Sequence, residues 1–163
     1  MDVSERILAT LIMEFSDLGQ VEHMTRATLR LLLATVLGGL LGYEREVTGK
    51  AAGMRTHMLV CVGAAIFVMA LEQDGGDGDA MSRVIQGVAA GIGFVCAGTI
   101  LKGQRMSDVH GLTTAAGLWT AAAIGVAVGL GREATAVLAT VLVLTVLHII
   151  PLIFVPGGND KAP

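Results

Sequence analysis

Charge is what this chain lacks most: only 15% of its 163 residues are Asp, Glu, Lys or Arg, against about 25% in an ordinary soluble domain. That shortage excludes a normal water-facing surface. There is no basic excess either, because the formal net charge is −3, and this removes the electrostatic footprint of a nucleic-acid binder. Cysteine is nearly absent. Cys61 and Cys96 form no CxxC or Cys/His spacing and read as small apolar packing residues. No HExxH, no phosphate-binding glycine loop and no nucleophile–base pair occurs, so nothing points to an enzyme. A cleavable leader is not expected, since residues 1–25 carry Asp2, Glu5, Glu14, Asp17 and Glu22 where a signal peptide has a basic start.

What the chain does have is apolar length. Hydrophobic residues make up 53% of it and the mean hydropathy is +0.71. Five runs, over residues 27–43, 54–71, 84–101, 112–130 and 134–155, are rich in glycine and alanine. Each is near the roughly 17–25 residues that a helix needs to cross a bilayer core. In lipid the backbone must satisfy its own hydrogen bonds, so such runs are helices. Ahead of them, Ile7, Leu8, Leu11, Ile12, Phe15 and Leu18 fall at helical spacing between Glu5 and Leu18. This predicts an amphipathic helix, started by Ser4 and ended by Gly19, on the membrane surface or against the bundle. The expected fold is all-α: a polytopic membrane protein whose compact bundle of five transmembrane helices follows an N-terminal amphipathic helix. The boundaries are 1–25 for the amphipathic segment, 26–156 for the bundle and 157–163 for a cytoplasmic tail.

Orientation follows from basic residues in short loops. Loops one and three hold Arg45, Lys50, Arg55, Lys102 and Arg105, whereas loops two and four hold Arg83 and Arg132. Loops one and three are therefore expected in the cytoplasm, with the N-terminus outside and the C-terminus inside. Those two loops also gather the chemistry. Glu44, Arg45 and Glu46 precede Gly53, Arg55 and Thr56. Lys102 and Asp108 precede Gly111, Thr113 and Thr114. Both loops run into helix N-termini, which favour anions and acidic side chains, and Thr56, Thr113 and Thr114 are candidate caps. Ion pairing and capping account for this cluster as well as a ligand does.

Within the spans, small residues recur every four positions at Gly38/Gly42, Gly87/Gly91 and Ala121/Gly125/Gly129. Such faces allow close helix crossing, within one chain or between copies. Gly91, Gly93 and Gly98 imitate a dinucleotide fingerprint but lack its strand–turn–helix setting, and are expected to serve close crossing or a local helix break. Arg30 is the one formal charge well within an apolar run, hence a functional candidate, with snorkelling to the interface as the bland alternative. Asp74, Asp77 and Asp79 lie in an acidic loop that suits a hard cation, though without an EF-hand's ligand order.

Two blocks carry a family resemblance. Arg30 through Gly42-Tyr43-Glu44-Arg45-Glu46 and Ala52-Gly53-Met54-Arg55-Thr56-His57 to Gly63 resembles the first signature of the MgtC/SapB family. Gln86 to Gly98, then Gly111-Leu112-Thr113-Thr114-Ala115-Ala116 and Trp119, resembles the second. The resemblance implies a bacterial inner-membrane protein tied to low-magnesium and stress adaptation, and a regulator more than a transporter. It also implies other membrane proteins as partners, the F-type ATP synthase among the candidates. Carried over by position, its residues are Arg30, Glu44, Arg45, Glu46, Gly53, Arg55, Thr56, Gly91, Gly93, Gly98, Gly111, Thr113, Thr114 and Trp119. The third-span motif of that family usually reads GIGFLGAG, whereas Val95 and Cys96 stand in its middle here. With the chain stopping at Pro163, the resemblance is to a short form without the C-terminal cytoplasmic domain of virulence-type members. No cofactor is expected, and Mg²⁺ enters only as ligand or signal. Partners are the bilayer, another membrane protein or a second copy of the chain, and no nucleic acid. A Mg²⁺ or other cation transporter or channel is the alternative, and a sensor of anionic lipid or nucleotide through Arg45, Arg55 and Lys102 a weaker third.

Overall fold

The computed structural model describes residues 2–14, 21–73, 78–102 and 109–154. The order is α1 (Val3–Glu14), α2 (Val21–Val47), α3 (Met54–Gln73), α4 (Gly78–Thr99), β1 (Leu101–Lys102), β2 (Val109–His110), α5 (Leu112–Gly129) and α6 (Glu133–Phe154). Helices α2 to α6 each contain a stretch long and apolar enough to cross a membrane. The chain is thus an all-α polytopic bundle, the only extended pairing among the described residues a two-residue antiparallel bridge with Leu101 opposite His110 and Lys102 opposite Val109.

Helix α3 is the centre, packed against α2 and α5, which also touch each other, with α6 closing against α2 and α5. Glycine makes that packing close. A Cβ on Gly38 would stand 2.7 Å from the His57 carbonyl oxygen, and one on Gly42 would collide with the Met54 backbone. From α5 a Cβ on Gly125 would strike the Cys61 carbonyl, and one on Gly129 would stand 2.8 Å from that of Ala65. Backbones this close gain dispersion contacts that lipid cannot match. Cys61, fully buried between Gly38 and Gly125, is the small packing residue expected of it. Four threonines in the spans close on themselves: the hydroxyls of Thr35, Thr120, Thr140 and Thr145 each donate to the carbonyl four residues earlier, so none of these four faces lipid unpaired.

The helix ends obey local rules. α2 stops in a Schellman motif, with Gly49 at φ +68° and the amides of Gly49 and Lys50 on the carbonyls of Glu46 and Arg45. α5 stops the same way through Gly131 at φ +69°, the amides of Gly131 and Arg132 reaching Val128 and Ala127. α1 departs from expectation. Its cap is Asp2, whose Oδ1 accepts from the Val3 amide while Glu5 accepts from the Asp2 amide, so Ser4 lies inside the helix. This reciprocal pair satisfies two free donors where serine would satisfy one. Phe15, Leu18 and Gly19 fall outside the described residues.

α4 is the second departure. It is unbroken from Gly78 to Thr99, touches α3 and α5, and contains no buried residue. Gly87, Gly91, Gly93 and Gly98 have no atom within 4 Å of where a Cβ would sit. The expected close crossing within the chain, or local break, does not occur there. The reason is placement: the close backbone contacts of α3 are already taken by the glycines of α2 and α5.

Candidate functional site

The polar chemistry sits at the two ends of the bundle. At one end Arg30 is buried, 8% exposed. Its Nη1 donates to the carbonyl of Gly129 at 2.9 Å and is ion-paired with Glu72. Its Nε faces Glu133 at 3.7 Å. The guanidinium also lies where a side chain on Gly131 would be. One cation of α2 therefore joins the last turn of α3, the C-terminus of α5 and the first turn of α6. The Gly129 carbonyl is one of the four that a helix end leaves without an intrahelical donor, and a cation there also meets the negative end of the helix dipole. Arg30 is anchored rather than snorkelling. Arg26, one turn earlier, is exposed.

At the opposite end Arg45 is buried and ion-paired with its neighbour Glu44, whose side chain is 12% exposed. Glu46 reaches from the last turn of α2 to accept the Met54 amide at 2.9 Å, so it caps α3. Gly53 leaves room for that carboxylate, since a Cβ there would stand 2.7 Å from Glu46 Oε2. His57 is completely buried and its Nδ1 donates to the Gly53 carbonyl at 3.0 Å. That fixes the tautomer and leaves Nε2 as an acceptor. Among the described residues neither His57 Nε2 nor Glu44 Oε1 has a hydrogen-bond partner.

The threonine caps are not made. Thr56 lies inside α3, whose first amide is taken by Glu46. The N-cap of α5 is Gly111, at φ +91° and with no side-chain cap bond, because the Thr99 carbonyl fills the place of its Cβ. Thr113 is exposed on α5 and Thr114 is buried. Arg55 is exposed, and Trp119 is half exposed beside the α4–α5 contact. The Cys96 thiol bonds the Ala115 carbonyl at 3.2 Å, tying α4 to α5. Lys102 is placed by its backbone in β1. Asp108, Asp74 and Asp77 lie outside the described residues, and Asp79 is exposed at the start of α4. No group of three or more His, Cys, Asp or Glu that could hold a metal is found among the described residues.

Sequence reading missed His57 as a candidate, and missed Glu72 and Glu133 as partners of Arg30. Signals existed. His57 shares a helix face with Cys61 and Ala65 at four-residue steps, and the two carboxylates end one span and open another at the level of Arg30.

A bundle with its polar groups confined to its two ends and apolar residues between defines a polytopic helical membrane protein. This chain belongs to the MgtC family: residues 31–153 match the model of that family. It is 47% identical to the protein SrpB of Synechococcus elongatus over 113 residues, which is 63% of this chain and 62% of that one. Over 113 residues it is 45% identical to MgtC of Brucella abortus, 69% of this chain and 46% of the relative. It is 39% identical to YhiD of Escherichia coli, provisionally named a magnesium transporter, over 131 residues, 74% of this chain and 59% of YhiD. The matched stretch thus spans roughly half to three fifths of these relatives' lengths. No solved structure matches the chain.

Proposed function

We propose that this protein is a non-enzymatic, multi-pass inner-membrane regulator of the response to magnesium limitation and related stress, acting by binding other membrane proteins. The observation that carries this reading is α4, a complete membrane helix with no buried residue and a glycine row that meets nothing among the described residues. Glycine inside a helix costs up to about 1 kcal/mol relative to alanine, and close approach to another backbone is what offsets that cost. The magnesium link rests on the family and on the name of YhiD. The F-type ATP synthase is one candidate partner, and a second copy of the chain another. The sites proposed for regulation are the Glu44–Arg45–Glu46 end with Gly53, Arg55, Thr56 and Lys102, and the α4 glycines with Trp119. The boundaries 1–25, 26–156 and 157–163, and an N-terminus outside, belong to the same proposal.

The transporter reading draws on the name of YhiD alone. Among the described residues the buried polar side chains between the two ends reduce to Thr114 and Thr140, and the Thr140 hydroxyl is spent on its own helix. Photo-crosslinkers at Gly87 and Gly91 are expected to capture a membrane protein, and Gly91→Leu to abolish both the capture and the growth phenotype in low magnesium. Saturable Mg²⁺ flux into proteoliposomes of the purified protein, lost in Arg30→Ala, would overturn the regulator in favour of the transporter.

A further inference from the structure

α4 has one polar side chain that its place in the membrane does not explain. By helical spacing, Val84, Ile85, Val88, Ile92 and Cys96 form the side partly covered by α3 and α5. Gly87 and Gly91 flank that side next to α3. Gln86, Ala90, Gly93 and Ala97 share another face, turned away from the chain, and all four are exposed. Gln86 stands about 12 Å along the helix from Gly78, at 1.5 Å per residue, and therefore inside the hydrocarbon core rather than at its edge. Arg83, one turn earlier, is near enough to the edge for its long side chain to reach the headgroups. The Gln86 amide is not.

Gln86 Nε2 donates to Ser82 Oγ at 3.2 Å, on its own helix, and no other bond of this amide occurs among the described residues. A carboxamide carries two N–H donors and an acceptor oxygen. One donor and the oxygen of Gln86 are thus left towards lipid, which offers neither an acceptor nor a donor. Polar side chains in this position bond across to another helix.

The chemistry of the face says which helix. An amide is donor and acceptor at once, so it complements itself without any charge. Two copies of the chain inserted the same way round run their α4 helices parallel, and a two-fold axis along the membrane normal sets equivalent residues opposite each other. Gln86, Ala90, Gly93 and Ala97 follow at steps of four, three and four, the seam of a left-handed helix pair. After the polar residue the seam is small throughout, so two identical faces can approach closely and leave no hole.

We propose that two copies of this chain associate in the membrane through α4, with the Gln86 amides bonded to each other across the two-fold axis and Ala90, Gly93 and Ala97 in close contact beyond them. The inference rests on the reading of α4 as a contact surface and divides that surface: the Gln86 face takes a second copy, and the Gly87/Gly91 side is left for another membrane protein.

Disulfide crosslinking in native membranes tests this, with Cys96 replaced by serine and the buried Cys61 retained. Single cysteines at Ala90 and Ala97 are expected to give a covalent dimer on oxidation. Cysteines at Gly91, off the seam, and at Leu138, exposed on α6, are expected to stay monomeric. In liposomes, subunit counting by single-molecule photobleaching should show the dimer dissociation constant rising about tenfold in Gln86→Leu, the scale of one interhelical hydrogen-bonded pair, and less in Gln86→Asn, which keeps the amide. Gln86 is exposed, so the melting temperature of the Gln86→Leu monomer in detergent should match the parent. Equal crosslinking at all four positions, no dimer at Ala90 or Ala97, or an unchanged dissociation constant in Gln86→Leu would each overturn the proposal. Capture of another membrane protein at Gly87 and Gly91 without a dimer at Ala90 would sink this inference and leave the regulator reading standing. A Gln86-dependent dimer without such capture would support it and count against the binding of other proteins.

Discussion

At the residue scale the most consequential side chain is Arg30. It is buried, and what it bonds is drawn from three other helices: the Glu72 carboxylate, the open Gly129 carbonyl and the nearby charge of Glu133. Removing it would leave a helix-end carbonyl and a carboxylate without their cation in a partly buried site. Breaking a buried pair on one side costs on the order of 3–5 kcal/mol, and the exposure of the two carboxylates reduces that toward about 2–3 kcal/mol. Arg30→Ala is therefore expected to lower the melting temperature markedly in detergent, with Arg30→Lys intermediate because an ammonium cannot span the same donors. Arg132→Ala, at an exposed arginine, should change stability by less than about 0.5 kcal/mol. Equal melting temperatures for Arg30→Ala and Arg132→Ala would contradict the anchor.

At the scale of elements, glycine means different things on different helices. On α2 and α5 it marks contact with the α3 backbone, and a side chain at Gly42 or Gly125 collides with main-chain atoms that cannot move aside cheaply. Gly125→Leu should therefore prevent folding or destabilise by more than about 3 kcal/mol. On α4 the same residue type meets open space, so Gly91→Leu is expected to leave the melting temperature unchanged or raise it slightly, leucine being the better helix former. The contrast separates packing within the chain from a surface kept for a partner. The α2–α3 connection has its own device, the Glu46 cap on the Met54 amide. Glu46→Ala should cost about 1 kcal/mol, read as a lower unfolding midpoint with the membrane topology intact.

At the scale of the whole molecule, the bundle has two polar ends and an apolar middle. Which end faces the cytoplasm follows from the proposed topology. A cysteine at Lys50 should be shielded in intact cells from a membrane-impermeant maleimide and one at Arg132 labelled. The native Cys61 is fully buried, and the partly buried Cys96 is replaced by serine in both variants. The reverse pattern would invert the orientation and move the Glu44 end outside.

The sequence by itself determined the helical spans, because lipid permits no other backbone for runs of this length. Their limits then shifted by only a few residues, except where polar turns lengthened α2 at both ends and α4 at its start. It also made Arg30 and the Glu44–Glu46 block legible, since charge beside an apolar run is conspicuous. The family signatures were legible in the same way. Only the tertiary structure decided which glycines touch a backbone. Gly38/Gly42 and Gly87/Gly91 have the same spacing, yet one pair faces α3 and the other meets nothing among the described residues. It alone assigned Arg30 its partners and left His57 Nε2 and Glu44 Oε1 without any among the described residues. The physical reason is range. Helix formation in lipid is settled within one segment, whereas the partner of a buried charge or the neighbour of a glycine is chosen by how separate helices pack, and the spacing along one helix does not encode that choice.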